Sequence, residues 1–164
     1  SAIVRRFLEA ALKPRLMVIM VQKEVAHSMV AKPGQMSLLS VGVQFYGKAR
    51  IVARVHPRSF YPPPKIHSAI IRIEPSPTIP VPASDVPGFF RIVRAGFSAP
   101  RKQLHNSLAQ GLAISSEEAV VYLREAGLDP VRRAQTLSVP EWVGLWNRFS
   151  QKRPGDSDLG GTPE

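Results

Sequence analysis

The 164-residue chain contains no cysteine. Disulfides and thiolate metal sites are therefore excluded, and a reducing compartment such as the cytoplasm is permitted. Acidic residues are scarce and unevenly spread. Residues 1–82 carry 12 Lys/Arg against three Asp/Glu, a net of +9, whereas residues 83–164 carry ten against nine. Three carboxylates in half a chain leave little scope for paired-carboxylate chemistry. No G-x-G precedes the Gly160-Gly161 pair, so there is no glycine-rich turn to bring backbone against a nucleotide cofactor. The four histidines, His27, His56, His67 and His105, lack metal-ligand spacing. The longest apolar run, "LMVIMV" at 16–21, is far too short to span a bilayer, and no signal-peptide pattern opens the chain. What remains is a globular composition, 44% hydrophobic and 21% charged, with a formal net charge of +10. A basic surface facing a polyanion accounts for that imbalance, and a basic protein with no nucleic-acid partner fits it too.

The chain divides by pattern. In "SAIVRRFLEAALKP" the residues Ala2, Ile3, Phe7, Leu8, Ala11 and Leu12 fall at helical spacing, and Pro14 ends it. "RLMVIMVQKE" reads as a short strand buried on both faces, as in a parallel sheet covered by helices. "KEVAHSMVAK", stopped by Pro33-Gly34, and "QMSLLSVGVQFYG" read as helices. "ARIVARVHP" and "IHSAIIRIEP" read as strands, with Ile51, Ala53 and Val55 on one face of the first and Arg50 and Arg54 on the other. This is an α/β layer pattern. "EPSPTIPVPASDVPG" then places five prolines between Pro75 and Pro87, an extended, stiff linker. Four helical segments follow: "FFRIVRAGF", "RKQLHNSLAQG", "SSEEAVVYLREAG" and "SVPEWVGLWNRFS". Gly111 and Gly127 are candidate C-caps, and Ser115 or Ser116 the N-cap of the third, with Glu117 and Glu118 in its first turn. The tail 152–164 reads as disordered.

Two constellations carry chemistry. In "RSFYPPPKIHSAIIRI" (58–73) three prolines fix φ and remove three backbone donors, so Pro62–Pro64 cannot lie inside a helix or a central strand. A ring at Phe60 held by that frame suits stacking on a planar heterocycle, and Lys65 could hold a nearby phosphate. A buried aromatic that ends a strand before a proline turn is the equal alternative. In "FSAPRKQLHNSL" (97–108), a helix starting at Pro100 would group Arg101, Lys102, His105 and Asn106 on one face. That face could contact phosphates and sugar hydroxyls, or simply be solvated.

"QKEVAHSMVAKPG", "FYPPPKIHSA", "FSAPRKQLHNSL" and "AGLDPVRRAQTLSVPEWVGL", in that order, resemble the ribosomal RNA adenine N6,N6-dimethyltransferase family over about residues 1–150. The resemblance implies a Rossmann-like α/β methyltransferase fragment followed by a small all-α C-terminal domain. Its expected units are 1–76 (back half of the methyltransferase domain), 77–83 (linker), 84–151 (helical RNA-binding domain) and 152–164 (tail). It further implies that Phe60, in an F-x-P-x-P-K-V-x-S motif with Pro62, Pro64, Lys65 and Ser68, stacks on a flipped-out adenine. Ile66 stands for the motif's valine. Lys65, Arg101, Lys102, His105 and Asn106 would contact RNA. The implied partner is small-subunit rRNA or a pre-ribosomal subunit, with no membrane and no metal, in the cytoplasm. The implied cofactor, S-adenosylmethionine, belongs to the intact parent. The family's glycine-rich turn, acidic ribose contact and N-L-P-Y motif are not in this sequence, so no cofactor-binding residue is expected here and the piece alone should be inactive. Three departures stand out: Leu38 replaces an expected arginine, "APRK" at 99–102 an expected Q-R-R-K, and "RAQ" at 133–135 the common R-A-E. Two rivals share the aromatic-proline segment or the fold: a large-subunit rRNA adenine methyltransferase and a non-catalytic nucleic-acid-binding factor. "RKQLHNSL" and "AGLDPVRRAQ" favour the small-subunit group.

Overall fold

The structure is a computed structural model that describes residues 2–8, 10 and 14–151. Its order is α1 (Ala2–Leu8), β1 (Met17–Gln22), α2 (Lys23–Met29), α3 (Leu38–Gln44), β2 (Gly47–Val55), β3 (Ser68–Pro75), α4 (Val86–Gly96), α5 (Leu104–Leu112), α6 (Ser116–Glu125) and α7 (Val139–Gln151). Expectations for Ala11, Leu12 and the 152–164 tail, and for the Ala2 and Ile3 side chains, lie outside the described residues. In α1 it is Val4 and Leu8 that are buried, while Phe7 is exposed, contrary to the sequence pattern.

β3 is the middle strand, and its alternation buries Ala69, Ile71 and Ile73 on one face. β1 and β2 pair with it from either side, both antiparallel. The expectation of a parallel sheet with β1 buried on both faces is therefore corrected. Val18 and Met20 are 59% and 52% exposed, because their register partners Arg72 and Ile70 lie on the face opposite the buried Ile71 and Ile73. An unbroken apolar run carries no periodicity with which to tell one covered face from two. A β-bulge between Ile51 and Ala53 corrects a second expectation. The extra residue, Val52, flips the alternation, so Arg54 comes opposite Ala69 on the buried-face side while Arg50 comes opposite Arg72 on the other.

α2 follows β1 without a loop and packs Ala26 and Met29 into the core. Gln44 donates through Nε2 to the carbonyls of Met29 (3.1 Å) and Ala31 (2.8 Å), satisfying acceptors at the end of α2. α3 opens on a capping box in which Ser37 and Ser40 exchange side-chain and backbone bonds.

Aromatic rings at the end of α3 meet α4. Phe45 stacks on Phe89 at 4.6 Å between centroids, and Tyr46 lies over Phe90 at 6.1 Å. Val81, inside the proline-rich stretch, is buried, so one hydrophobic core runs through the sheet layer and the helices. Trp142 of α7 is fully buried beside Phe97 and fits because Gly96 has no side chain: a Cβ there would lie 2.4 Å from the indole ring. Gly127, at φ +72° directly after the C-cap Ala126, is the left-handed residue that terminates α6, so the cap lies one position before the residue the sequence anticipates. Gly111 has no such role. It sits inside α5, where a Cβ would lie 2.6 Å from the Cα of Ala95, and the left-handed residue ending α5 is Ala113. Close approach of α4 and α5, not a turn, requires that glycine.

Candidate nucleic-acid interface

Residues 56–67 join antiparallel β2 and β3 and hold the aromatic-proline segment as a loop. His56 opens it. Its Nδ1 accepts from the Arg58 N–H at 3.2 Å, and the Phe60 N–H closes the short turn onto the Pro57 carbonyl at 3.1 Å. At the far end the His67 ring stands edge-on to His56, 4.9 Å between centroids and 88° between planes. The His67 carbonyl accepts from the Lys23 N–H at 3.0 Å, which ties the loop to α2. Phe60 leaves the turn extended (φ −122°, ψ 153°) and half-buried. Tyr61, Pro62, Pro63, Pro64 and Lys65 are exposed, and the Tyr61–Pro62 bond is cis. Phe60, Pro62, Pro64 and Lys65 are thus on one loop whose two ends are pinned. Nothing acidic lies near them in sequence: there is no Asp or Glu between Glu24 and Glu74, a span with seven Lys/Arg.

The second group is organised differently from its sequence reading. α5 begins at Leu104, so Arg101 and Lys102 occupy the exposed turn before it and do not share a helical face with His105 and Asn106. The Lys102 N–H closes that turn on the Ala99 carbonyl at 2.9 Å, and its Nζ reaches Gln110 Oε1 at 3.3 Å. The half-buried His105 has an internal partner: Nδ1 lies 2.9 Å from the Pro130 carbonyl, which can only accept, so Nδ1 carries the proton. Asn106 is exposed.

That carbonyl belongs to the connection between α6 and α7, whose role the sequence reading missed. The Arg132 carbonyl accepts from the Leu104 N–H at 2.7 Å, capping α5, and the Gln135 carbonyl accepts from Gly34 (2.8 Å) and Met36 (3.1 Å) of the α2–α3 connection. The Arg132 guanidinium grips Glu141 and donates to the Thr136 carbonyl at 2.7 Å. Glu141 also accepts from the Ser138 N–H (2.7 Å) and hydroxyl (3.0 Å). Donation from Arg132, then from Ser138, lowers the Glu141 pKa from 4.5 to about 2, against the opposing effect of burial. The S-x-x-E spacing of Ser138 and Glu141 is a capping-box signature, so this clip had a readable signal.

Among the hollows of the described surface, two bear on the site. One, of about 370 Å³, is lined by the Val30–Pro33 stretch, the start of β2 and the start of α7, with Lys32 and Lys48 at its wall. The other, of about 290 Å³, is walled by Ile92, Tyr122, Trp146 and Phe149 among the helices. Phe60 lines neither. Among the described residues no cluster of His, Cys, Asp or Glu could hold a metal ion, and no helix is long and apolar enough to cross a membrane.

The fold of this chain is shared by solved structures. The superposition with a dimethyladenosine transferase from Plasmodium falciparum has a TM-score of 0.77 over 92% of this chain and 62% of that one, at 21% identity. That with the 23S rRNA methyltransferase ErmE has a TM-score of 0.68 over 92% and 60%, at 23% identity. The sequence is more specific: the profile of the family "Ribosomal RNA adenine dimethylase" matches residues 1–151, and the chain belongs to that family. The ribosomal RNA small subunit methyltransferase A of Dehalococcoides mccartyi (strain CBDB1) is 53% identical over 146 residues, 88% of this chain and 50% of that protein. The namesake from Pelotomaculum thermopropionicum is 43% identical over 139 residues, 82% and 46% respectively. The chain thus spans about half the length of the curated relatives it matches.

Proposed function

We propose that this chain supplies the base-positioning and RNA-contacting part of a cytoplasmic, S-adenosylmethionine-dependent enzyme. That enzyme dimethylates N6 of two adjacent adenosines near the 3′ end of small-subunit rRNA. The observation that carries the reading is the 56–67 loop, pinned at both ends and presenting Phe60 beside the proline frame. The exocyclic amine of adenine is a poor nucleophile because its lone pair is delocalised into the ring. What it needs from a protein is orientation rather than a strong base, and a fixed aromatic face supplies that for an extruded base. Lys65, Arg101, Lys102 and Asn106 would hold phosphates and sugars. His105 would contribute through its free Nε2, since Nδ1 is engaged.

S-adenosylmethionine would supply the methyl group. Phe60 lines neither hollow: one is bordered by Lys32 and Lys48, and the other, set among helices, by Arg91 and Glu118 as well as apolar side chains. We therefore assign no residue of this chain to the cofactor, and the 164 residues alone are expected to bind RNA without transferring methyl groups. The large-subunit alternative rests on likeness of fold, whereas 53% identity to a small-subunit enzyme supports the reading chosen here.

The test is to complete the chain with the segment of its Dehalococcoides relative that lies outside the match, supply labelled S-adenosylmethionine, and map the product on undermethylated ribosomal subunits. Label confined to adjacent adenosines near the 3′ end of small-subunit rRNA is expected. Label on large-subunit rRNA, or none from a folded protein that binds the cofactor, would overturn the assignment.

A further inference from the structure

Tyr61 is 100% exposed, the most exposed of the large hydrophobic side chains described; Val18 follows at 59%. An aromatic ring normally contributes by burying 150–250 Å², and here that contribution is forgone. Tyr61 has no ring contact, hydrogen bond or ion pair among the described residues. Nor is its exposure a matter of a slack loop. Phe60 before it is extended and anchored to Pro57, and Pro62 after it restricts the Tyr61 backbone. The chain bends at residues 60–62 and there leaves Phe60 half-buried and Tyr61 fully outward. Exposed Arg58 and Lys65 flank the ring on either side in sequence.

We propose that Tyr61 is a second stacking platform, which takes the base of an unpaired RNA nucleotide next to the one on Phe60. The loop then works as a wedge between two neighbouring bases, with Arg58 and Lys65 on the strand's phosphates. An unpaired nucleotide fits because it joins a planar π-face to a negative charge, which is what a bare ring between two cations can hold. Duplex RNA keeps its bases stacked and offers the ring nothing. This inference rests on the reading of Phe60 as the target-base platform, and its test separates the two residues.

The 164-residue chain is titrated with unpaired oligoribonucleotides that carry 2-aminopurine at one of two adjacent positions, and with a duplex of the same length. Stacking on Tyr61 predicts that Tyr61→Ala weakens binding of the unpaired strand about 5- to 100-fold. Duplex affinity and thermal melting should be unchanged, and Tyr61→Phe should stay within about two-fold of wild type. Fluorescence quenching at one position should require Tyr61 and at its neighbour Phe60. If Phe60→Ala leaves both signals intact while Tyr61→Ala does not, the Phe60 reading fails and the Tyr61 platform stands. Unchanged affinity and quenching in Tyr61→Ala would overturn the proposal. So would an equal loss on duplex RNA, a lowered melting temperature, or an effect of Tyr61→Ala confined to binding of anionic phosphatidylserine vesicles.

Discussion

At Glu141, the Arg132 guanidinium and the amide and hydroxyl of Ser138 converge on one carboxylate. Its folded-state pKa of about 2 lies below the usual 4.5, so its stabilising contribution is complete above about pH 4.5 and is lost as the pH falls toward 2. Urea midpoints measured from pH 7 to pH 2 should therefore fall less for Glu141→Gln than for wild type over the lower part of that range, and parallel profiles would contradict the account. At neutral pH Glu141→Ala should cost about 1–2 kcal/mol, because charged hydrogen bonds are lost and half-buried donors are left without that partner. Cutting the same clip from the other side, Arg132→Ala should be similarly destabilising. The structure spends the Arg132 donors on Glu141 and Thr136.

Among the elements, α6 was the most legible because it joins an apolar stripe to interpretable ends: Ser115 caps it with its hydroxyl on the Glu118 N–H at 3.0 Å, and Gly127 follows its last turn. The sheet was legible only in part. Strand positions follow from β-branched content, but pairing direction is set by non-local partners, and the bulge at Val52 comes from a register that no local pattern announces. The start of α5 was misplaced for a similar reason: backbone carbonyls of Pro130 and Arg132, distant in sequence, cap it where a local side chain would normally have marked the end. Gly111 gives the sharpest test at this scale. Helix propensity alone favours Gly111→Ala by about 1 kcal/mol. The Cβ would meet the backbone of Ala95, however, and overpacking of this kind costs about 1–3 kcal/mol. Thermal melting should show a net loss of stability for Gly111→Ala; a gain would mean that α4 and α5 do not cross so closely.

For the whole molecule, a net charge of +10 concentrated in the first half predicts RNA affinity that falls steeply with salt. Replacing Arg101 and Lys102 with alanine should weaken binding and reduce the slope of log K against log salt by up to roughly two. An unchanged slope would show that this exposed turn makes no phosphate contact. That the aromatic-proline segment lies outside helix and strand was legible, because proline restricts the backbone whatever surrounds it. What sequence could not show was how His56 and His67 close its base, since their pairing depends on β2 and β3 lying side by side. The central claim is that Phe60 orients the base that reacts, and single-turnover methylation tests it most directly. In the chain completed with its relative's remaining segment, Phe60→Ala should remove most of the transfer rate while RNA affinity stays within a few-fold and the urea midpoint is unchanged. Phe60→Trp and Phe60→Tyr should retain more activity, because each keeps an aromatic face. A near-normal rate in folded Phe60→Ala enzyme, with stability lowered by roughly 3–5 kcal/mol, would contradict the account and make Phe60 a core residue.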